Sequence, residues 1–128
     1  MSPTLKVLVA DDERVIADTL AIILTQAGFE AIAAYSGEEV VQTANAFQPD
    51  ILVTDVVMAG MNGIEAAIQV REMLPSCKVV LLSGQAVAAD LLDEARDHGH
   101  EFDIVAKPLH PNQLIAHLRG DSALKDSA

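Results

Sequence analysis

Residues 5–12 read Leu5-Lys6-Val7-Leu8-Val9-Ala10-Asp11-Asp12. The apolar run is nearly continuous rather than alternating, the pattern of a strand buried on both faces of a sheet. Two carboxylates follow it directly. Outward from here the chain alternates strand and helix. Arg14–Ala27 spaces Ile16, Leu20, Ile23 and Ala27 as one face of a helix, and Gly28 suits its C-terminal stop. Phe29–Ala34 reads as an Ala-rich second strand. Ser36 with Glu39 is a capping-box pattern opening a helix that carries Val40, Ala44 and Phe47 on one side.

Pro49-Asp50 interrupts that helix, and Ile51–Thr54 makes a short buried strand. The loop Asp55–Asn62 leads to a helix over Gly63–Met73, with Asn62 as N-cap and Pro75 beyond its end. Val79–Leu82 predicts a fourth strand, Ala88–His98 a fourth helix stopped at Gly99, and Phe102–Ala106 a fifth strand. Pro111, suited to a first helical turn, opens a last helix carrying Leu114, Ile115 and Leu118. Such alternation with short connections predicts a parallel sheet with right-handed crossovers. The expectation is one α/β domain over 1–119, with a small, polar tail at 120–128 that frays.

Composition narrows the function classes. The 128 residues suffice for one ordinary domain with its own core, and an apolar content of 51% argues against disorder. A formal charge of −11 repels phosphate backbones and anionic lipid, so direct nucleic-acid or membrane-surface binding is not expected. The apolar strings are too short to span a bilayer, and Met1–Leu5 has no secretory leader pattern. Cys77 is the single cysteine, so no internal disulfide can form and a cytoplasmic location is expected.

In open parallel sheets function gathers beyond the carboxyl ends of the strands. Asp11 and Asp12 follow the first strand, Asp55 the third, Ser83 the fourth and Lys107 the fifth, while the second ends in Tyr35 and Ser36. Three carboxylates, a hydroxyl and an amine are thus expected at one sheet edge. Carboxylates so crowded repel one another unless a cation lies among them, and Mg²⁺ suits oxygen donors completed by water and phosphate.

Five stretches, Val7-Leu8-Val9-Ala10-Asp11-Asp12-Glu13, Asp50-Ile51-Leu52-Val53-Thr54-Asp55, Met58-Ala59-Gly60-Met61-Asn62-Gly63, Leu82-Ser83-Gly84 and Lys107-Pro108, occur in an order that resembles the CheY-like receiver domain of two-component signalling. The resemblance covers residues 5 to about 119 and implies a single doubly wound (βα)5 flavodoxin-like fold, a five-stranded parallel sheet of order 2-1-3-4-5. It implies that Asp55 is the phospho-acceptor and that Mg²⁺ is bound by Asp11 (through water), Asp12, Asp55 and the main-chain carbonyl of Val57. It further implies that Lys107 pairs with Asp55 and later with the phosphate, that Ser83 moves to hydrogen-bond a phosphate oxygen, and that Lys107-Pro108 has a cis peptide.

The implied partners are a sensor histidine kinase or phosphotransfer protein and a downstream protein or output domain, with the chain a monomer or weak dimer. The implied activity is limited to its own phosphorylation and autodephosphorylation, so the chain is not expected to be an enzyme in the ordinary sense. The implied signalling face comprises Ala88–His98, the fifth strand and Pro111–Leu118.

Taken singly, each residue has a plainer reading. Asp55 alone would be a turn or capping residue, Asp11-Asp12 first-turn carboxylates favoured by a helix dipole, and Lys107 a solvated lysine. Cys77 reads as a small core or edge residue, and Met58 and Met61 as local packing. His98, His100, His110 and His117 have no cysteines at zinc spacing.

Three departures from the family stand out. Ile104 occupies the position, three before the lysine, that is usually aromatic, and Phe102 lies two residues earlier on the same face. Ala59 replaces a frequent proline, which implies a looser loop over 57–62. Val57 and Gln85 occupy the positions that flank the path of attacking water, and an apolar Val57 implies a long-lived phospho-form.

The alternative is a receiver-fold interaction module that works without phosphate. An aspartate-nucleophile phosphatase would want a second carboxylate two residues past the nucleophile, where Val57 stands, with the nucleophile on the first strand. A Rossmann domain would want a Gly-rich turn in place of Asp11-Asp12-Glu13.

Overall fold

The computed structural model describes residues 4–58, 60–83, 93, 102–106 and 110–127. Its elements run β1 (Lys6–Ala10), α1 (Arg14–Gln26), β2 (Glu30–Ala34), α2 (Gly37–Phe47), β3 (Ile51–Asp55), α3 (Gly63–Met73), β4 (Lys78–Ser83), β5 (Asp103–Ala106) and a final helix, here α4 (Pro111–Ser127). The strands form one parallel sheet in the order β2-β1-β3-β4-β5, as the resemblance implies. The helix expected at Ala88–His98 lies outside the described residues, apart from the helical Asp93.

Strand periodicity divides the core between the two faces of the sheet. Val7, Val9, Val53, Val80 and Leu82 face Leu20 and Leu24 of α1 and Leu114 and Leu118 of α4. Leu8, Leu52, Val79 and Leu81 face Val40 and Ala44 of α2 and Ile64, Ala67 and Val70 of α3. The central strands therefore bury side chains on both faces, which is why they read as continuous apolar runs.

On α1 the buried residues are Ala17, Leu20, Ala21 and Leu24, whereas Ile16, expected in the core, is 38% exposed. Residues 15–17 and 20–24 are all apolar, so periodicity alone does not select a face. The two alanines let the helix axis approach the sheet closely. On α2, Val40 and Ala44 are buried, while Phe47 is half-buried beneath the Lys6 ammonium, 5.4 Å from the ring centroid. Gly28 takes φ 105° just beyond α1, the left-handed geometry that a glycine stop supplies.

The last helix continues through 120–127, where a fraying tail is expected from the sequence. Once nucleated, a helix gains one hydrogen bond for each further residue it fixes, and Ala123, Leu124 and Lys125 are good helix formers. Among the described residues, no helix is long and apolar enough to cross a membrane.

Candidate functional site

Three connections at the carboxyl edge of the sheet build the site. The first joins β1 to α1. Asp11 is 2% exposed, and its amide donates to Ala34 O at 3.2 Å, tying the end of β1 to the end of β2. Asp11 Oδ1 accepts the amide of Glu13 at 2.9 Å, which bends the chain into α1 and leaves Asp12 exposed at the turn.

The second joins β3 to α3 and begins at Asp55, the half-buried last residue of β3. Val56 N donates to Leu82 O at 3.1 Å, and Gly63 N donates to Val56 O at 2.9 Å. Thr54 Oγ1, fully buried, donates to the Asp55 carbonyl at 3.0 Å. Gly63 is packed so tightly there that a Cβ would lie 1.9 Å from that same carbonyl oxygen. Only a glycine admits this approach, so the start of α3 is seated directly on the backbone of Asp55. Asn62 caps α3 in a reciprocal box with Glu65: Asn62 Oδ1 accepts Glu65 N at 2.9 Å and Glu65 Oε1 accepts Asn62 N at 3.3 Å.

The third connection joins β2 to α2. Ser36 caps α2 by accepting the amide of Glu39 at 3.1 Å. The reciprocal half of the expected box is displaced by one residue, since Glu39 Oε1 accepts from Tyr35 N at 2.8 Å.

These connections bring Asp11, Asp12 and Asp55 together, with one carboxylate oxygen from each within 4.8 Å of the other two. Spread over 45 residues of sequence, they could hold a divalent cation as a set of hard oxygen donors. Val57 is exposed in the loop beside Asp55, whereas Val56 and Met58 are buried in the core.

Ser83 ends β4, 4% exposed, in register with Ala106 at the end of β5. Lys107 lies outside the described residues, as do Pro108, Ala59, Gln85, His98 and His100. Its chain neighbour Ala106 nonetheless ends β5 opposite Ser83.

The remaining candidates stand apart from this edge. Ile104 is 41% exposed. Phe102 precedes β5 and lies under the Arg71 guanidinium, 5.3 Å from the ring centroid, so its ring is engaged with α3. Cys77 is buried, and removal from solvent pushes its thiol up to about 11. His110 Nδ1 accepts the amide of Asn112 at 3.2 Å, and His117 Nε2 lies 3.4 Å from Asp103 Oδ2. The sequence does not single out Thr54 or Glu38, whose roles depend on which backbone atoms the fold presents to them. Gly63 is visible as a motif residue, but its contact with the Asp55 carbonyl is not.

Residues 7–119 match the response regulator receiver domain family. The chain is 29% identical over 111 residues to the chemotaxis protein CheY of Thermotoga maritima, covering 86% of this chain and 91% of that protein. It is 33% identical over 114 residues to the transcriptional regulatory protein YvrH of Bacillus subtilis, covering 88% of this chain but 47% of the relative. The fold is also that of the Vibrio cholerae chemotaxis protein CheY4, with a TM-score of 0.80 at 24% identity, over 91% of this chain and 98% of that one. A match across nearly the whole sheet, with the acidic edge intact, assigns the chain to the response regulator receiver domains of two-component signalling.

Proposed function

We propose that this receiver accepts a phosphoryl group on Asp55 from the phosphohistidine of a sensor kinase or phosphotransfer protein, in a pocket that binds Mg²⁺. The reading rests on the convergence of Asp11, Asp12 and Asp55 within 4.8 Å. Asp12, Asp55 and the Val57 carbonyl would hold the cation directly and Asp11 through water. When bound, Mg²⁺ supplies charge neutralisation for the transferring phosphoryl oxygens.

The protein's own part is alignment. Asp55 offers a carboxylate oxygen to phosphorus as the donor's P–N bond breaks, and its backbone is held by Gly63 and Thr54. Ser83 and Lys107 then close on the phosphate as a rotating hydroxyl and a mobile positive charge. The surface comprising 88–98, β5 and the first part of α4 shifts population in response and regulates a partner or output domain, a step carried by family analogy. The chain acts on no substrate but itself, and works in the cytoplasm as a monomer or weak dimer.

Intact mass after incubation with Mg²⁺ and acetyl phosphate tests this. One phosphoryl group is expected on the wild-type chain and none on Asp55→Asn. No gain in the folded wild type, with other small phosphodonors also failing, would favour an interaction module that works without phosphate. Exposed Val57 offers attacking water no hydrogen bond, so the phosphoryl group should persist well beyond seconds at room temperature. Loss within seconds in a phosphate-release assay would overturn that expectation.

A further inference from the structure

The acceptor loop is also held from the side, by a helix that takes no part in the chemistry above. Glu38 is exposed in the first turn of α2, and its Oε1 accepts the amide of Met61 at 3.0 Å. Gly60, at φ 76°, passes under the same carboxylate, where a Cβ would lie 3.2 Å from Oε1. One residue before Glu38, Gly37 packs against Met61 so closely that a Cβ would lie 2.5 Å from its carbonyl oxygen. The start of α2 and the segment 60–62 are therefore in backbone contact and joined by a charge-assisted hydrogen bond. That segment leads directly into the Asn62 cap and Gly63, the residue seated on the Asp55 carbonyl.

A carboxylate in the first turn of a helix is favoured by the helix dipole whatever it touches. The dipole does not explain why Glu38 reaches a main-chain amide of a different connection, 23 residues away. We propose that Glu38 is a positioning residue for phosphoryl acceptance: by holding Met61 it fixes the far end of the loop that presents Asp55 and the Val57 carbonyl. The inference rests on the receiver reading above and adds a residue to it.

The test uses the full chain as wild type, Glu38→Ala and Glu38→Gln. It reads the initial rate of phosphoryl uptake from acetyl phosphate with Mg²⁺, hydrogen exchange at the Met61 amide, and the urea midpoint. The expected result for Glu38→Ala is uptake slowed about 3- to 10-fold and faster Met61 exchange, with the urea midpoint nearly unchanged because Glu38 is exposed. Glu38→Gln keeps an oxygen acceptor and should recover uptake to within about twofold of wild type. Wild-type uptake or Met61 exchange in Glu38→Ala would overturn the inference and leave the receiver reading standing. Failure of Glu38→Gln to recover, with losses tracking the urea midpoint, would also overturn it. No uptake by the wild-type chain would remove the receiver reading and this inference with it.

Discussion

The two loops that carry the acidic pocket are built differently. The β3–α3 loop is fastened at both ends: Gly63 sits on the Asp55 carbonyl, Asn62 and Glu65 cap each other's backbone, and Glu38 holds Met61. The β1–α1 loop, which carries Asp11 and Asp12, leads into a helix whose N-cap residue, Glu13, makes no side-chain capping bond. Its backbone is tied to β2 by the amide of Asp11. The chemistry proposed for the two loops accounts for the contrast. A nucleophile must be aligned with the bond it attacks, and a displacement of about 1 Å can cost about 10²-fold in rate. Asp11 and Asp12 would serve only the cation, which keeps several waters of its own, whereas Asp55 would have to serve both the cation and the attacked phosphorus.

The largest effect that can break this comparison is expected at Gly63. A methyl group in Gly63→Ala must displace the Asp55 carbonyl, 1.9 Å from the new Cβ, at the end of a central strand paired on both sides by β1 and β4. The expected cost is about 3 kcal/mol or more in urea unfolding, with phosphoryl acceptance lost in any protein that remains folded. Wild-type stability would mean that the loop re-forms freely and that the tight seating of the acceptor is illusory.

Asp12 tests the other loop. Asp12→Asn removes one of three carboxylates that repel one another, so without Mg²⁺ the urea midpoint should rise. With Mg²⁺ the order should reverse, because the wild type gains stability by binding the cation, whereas the variant binds it about tenfold more weakly, or worse. Equal Mg²⁺ dependence of the two urea midpoints would remove Asp12 from the site.

How far the sequence shows this architecture follows from what each feature requires. The runs Leu5–Ala10 and Ile51–Thr54 are legible as buried strands because both of their faces are covered, and Asp11, Asp12 and Asp55 are legible because they end such runs. Helix faces are less so. The expected stripe of α1 includes Ile16, yet Ala17 and Ala21 face the sheet, since a helix apolar on most sides carries no phase. Contacts between side chains and distant backbone are not legible at all. Glu39 reaches Tyr35 N rather than closing a box on Ser36, and Glu38 reaches Met61 N, each set by where the fold brings a main-chain amide.

Helix capping offers a finer comparison of the two loops. Asn62→Ala removes a complete box from α3 and should cost about 1 kcal/mol. At the uncapped start of α1, Glu13→Ser introduces a hydroxyl able to accept a first-turn amide, and should gain about 0.5 kcal/mol. Paired urea titrations read both. A loss on Glu13→Ser would show that Glu13 already serves the loop in a way that capping does not describe.

The smallest expected effect concerns the rim where the β1–α1 loop meets β2. Tyr35 Oη donates to Asp18 Oδ1 at 2.5 Å, and the Arg14 guanidinium lies 4.1 Å from the centre of its ring. This contact bridges the first turns of α1 to the end of β2, beside the amide of Asp11. The hydrogen bond to Asp18 raises the Tyr35 pKa above its ordinary 10.0, and the Asp18 charge adds to the rise against the opposing pull of Arg14. Because the phenol is favoured in the folded protein, the contact's contribution is fully present below about pH 10 and is lost as pH rises through the folded value. Tyr35 is the only tyrosine in the chain, so tyrosinate absorbance reports it alone. Asp18→Asn removes the charge and should move the titration midpoint down toward 10. An unmoved midpoint would mean that the rim contact does not persist in solution, leaving the Asp11 amide to hold the β1–α1 loop to β2 and widening the difference between the two loops.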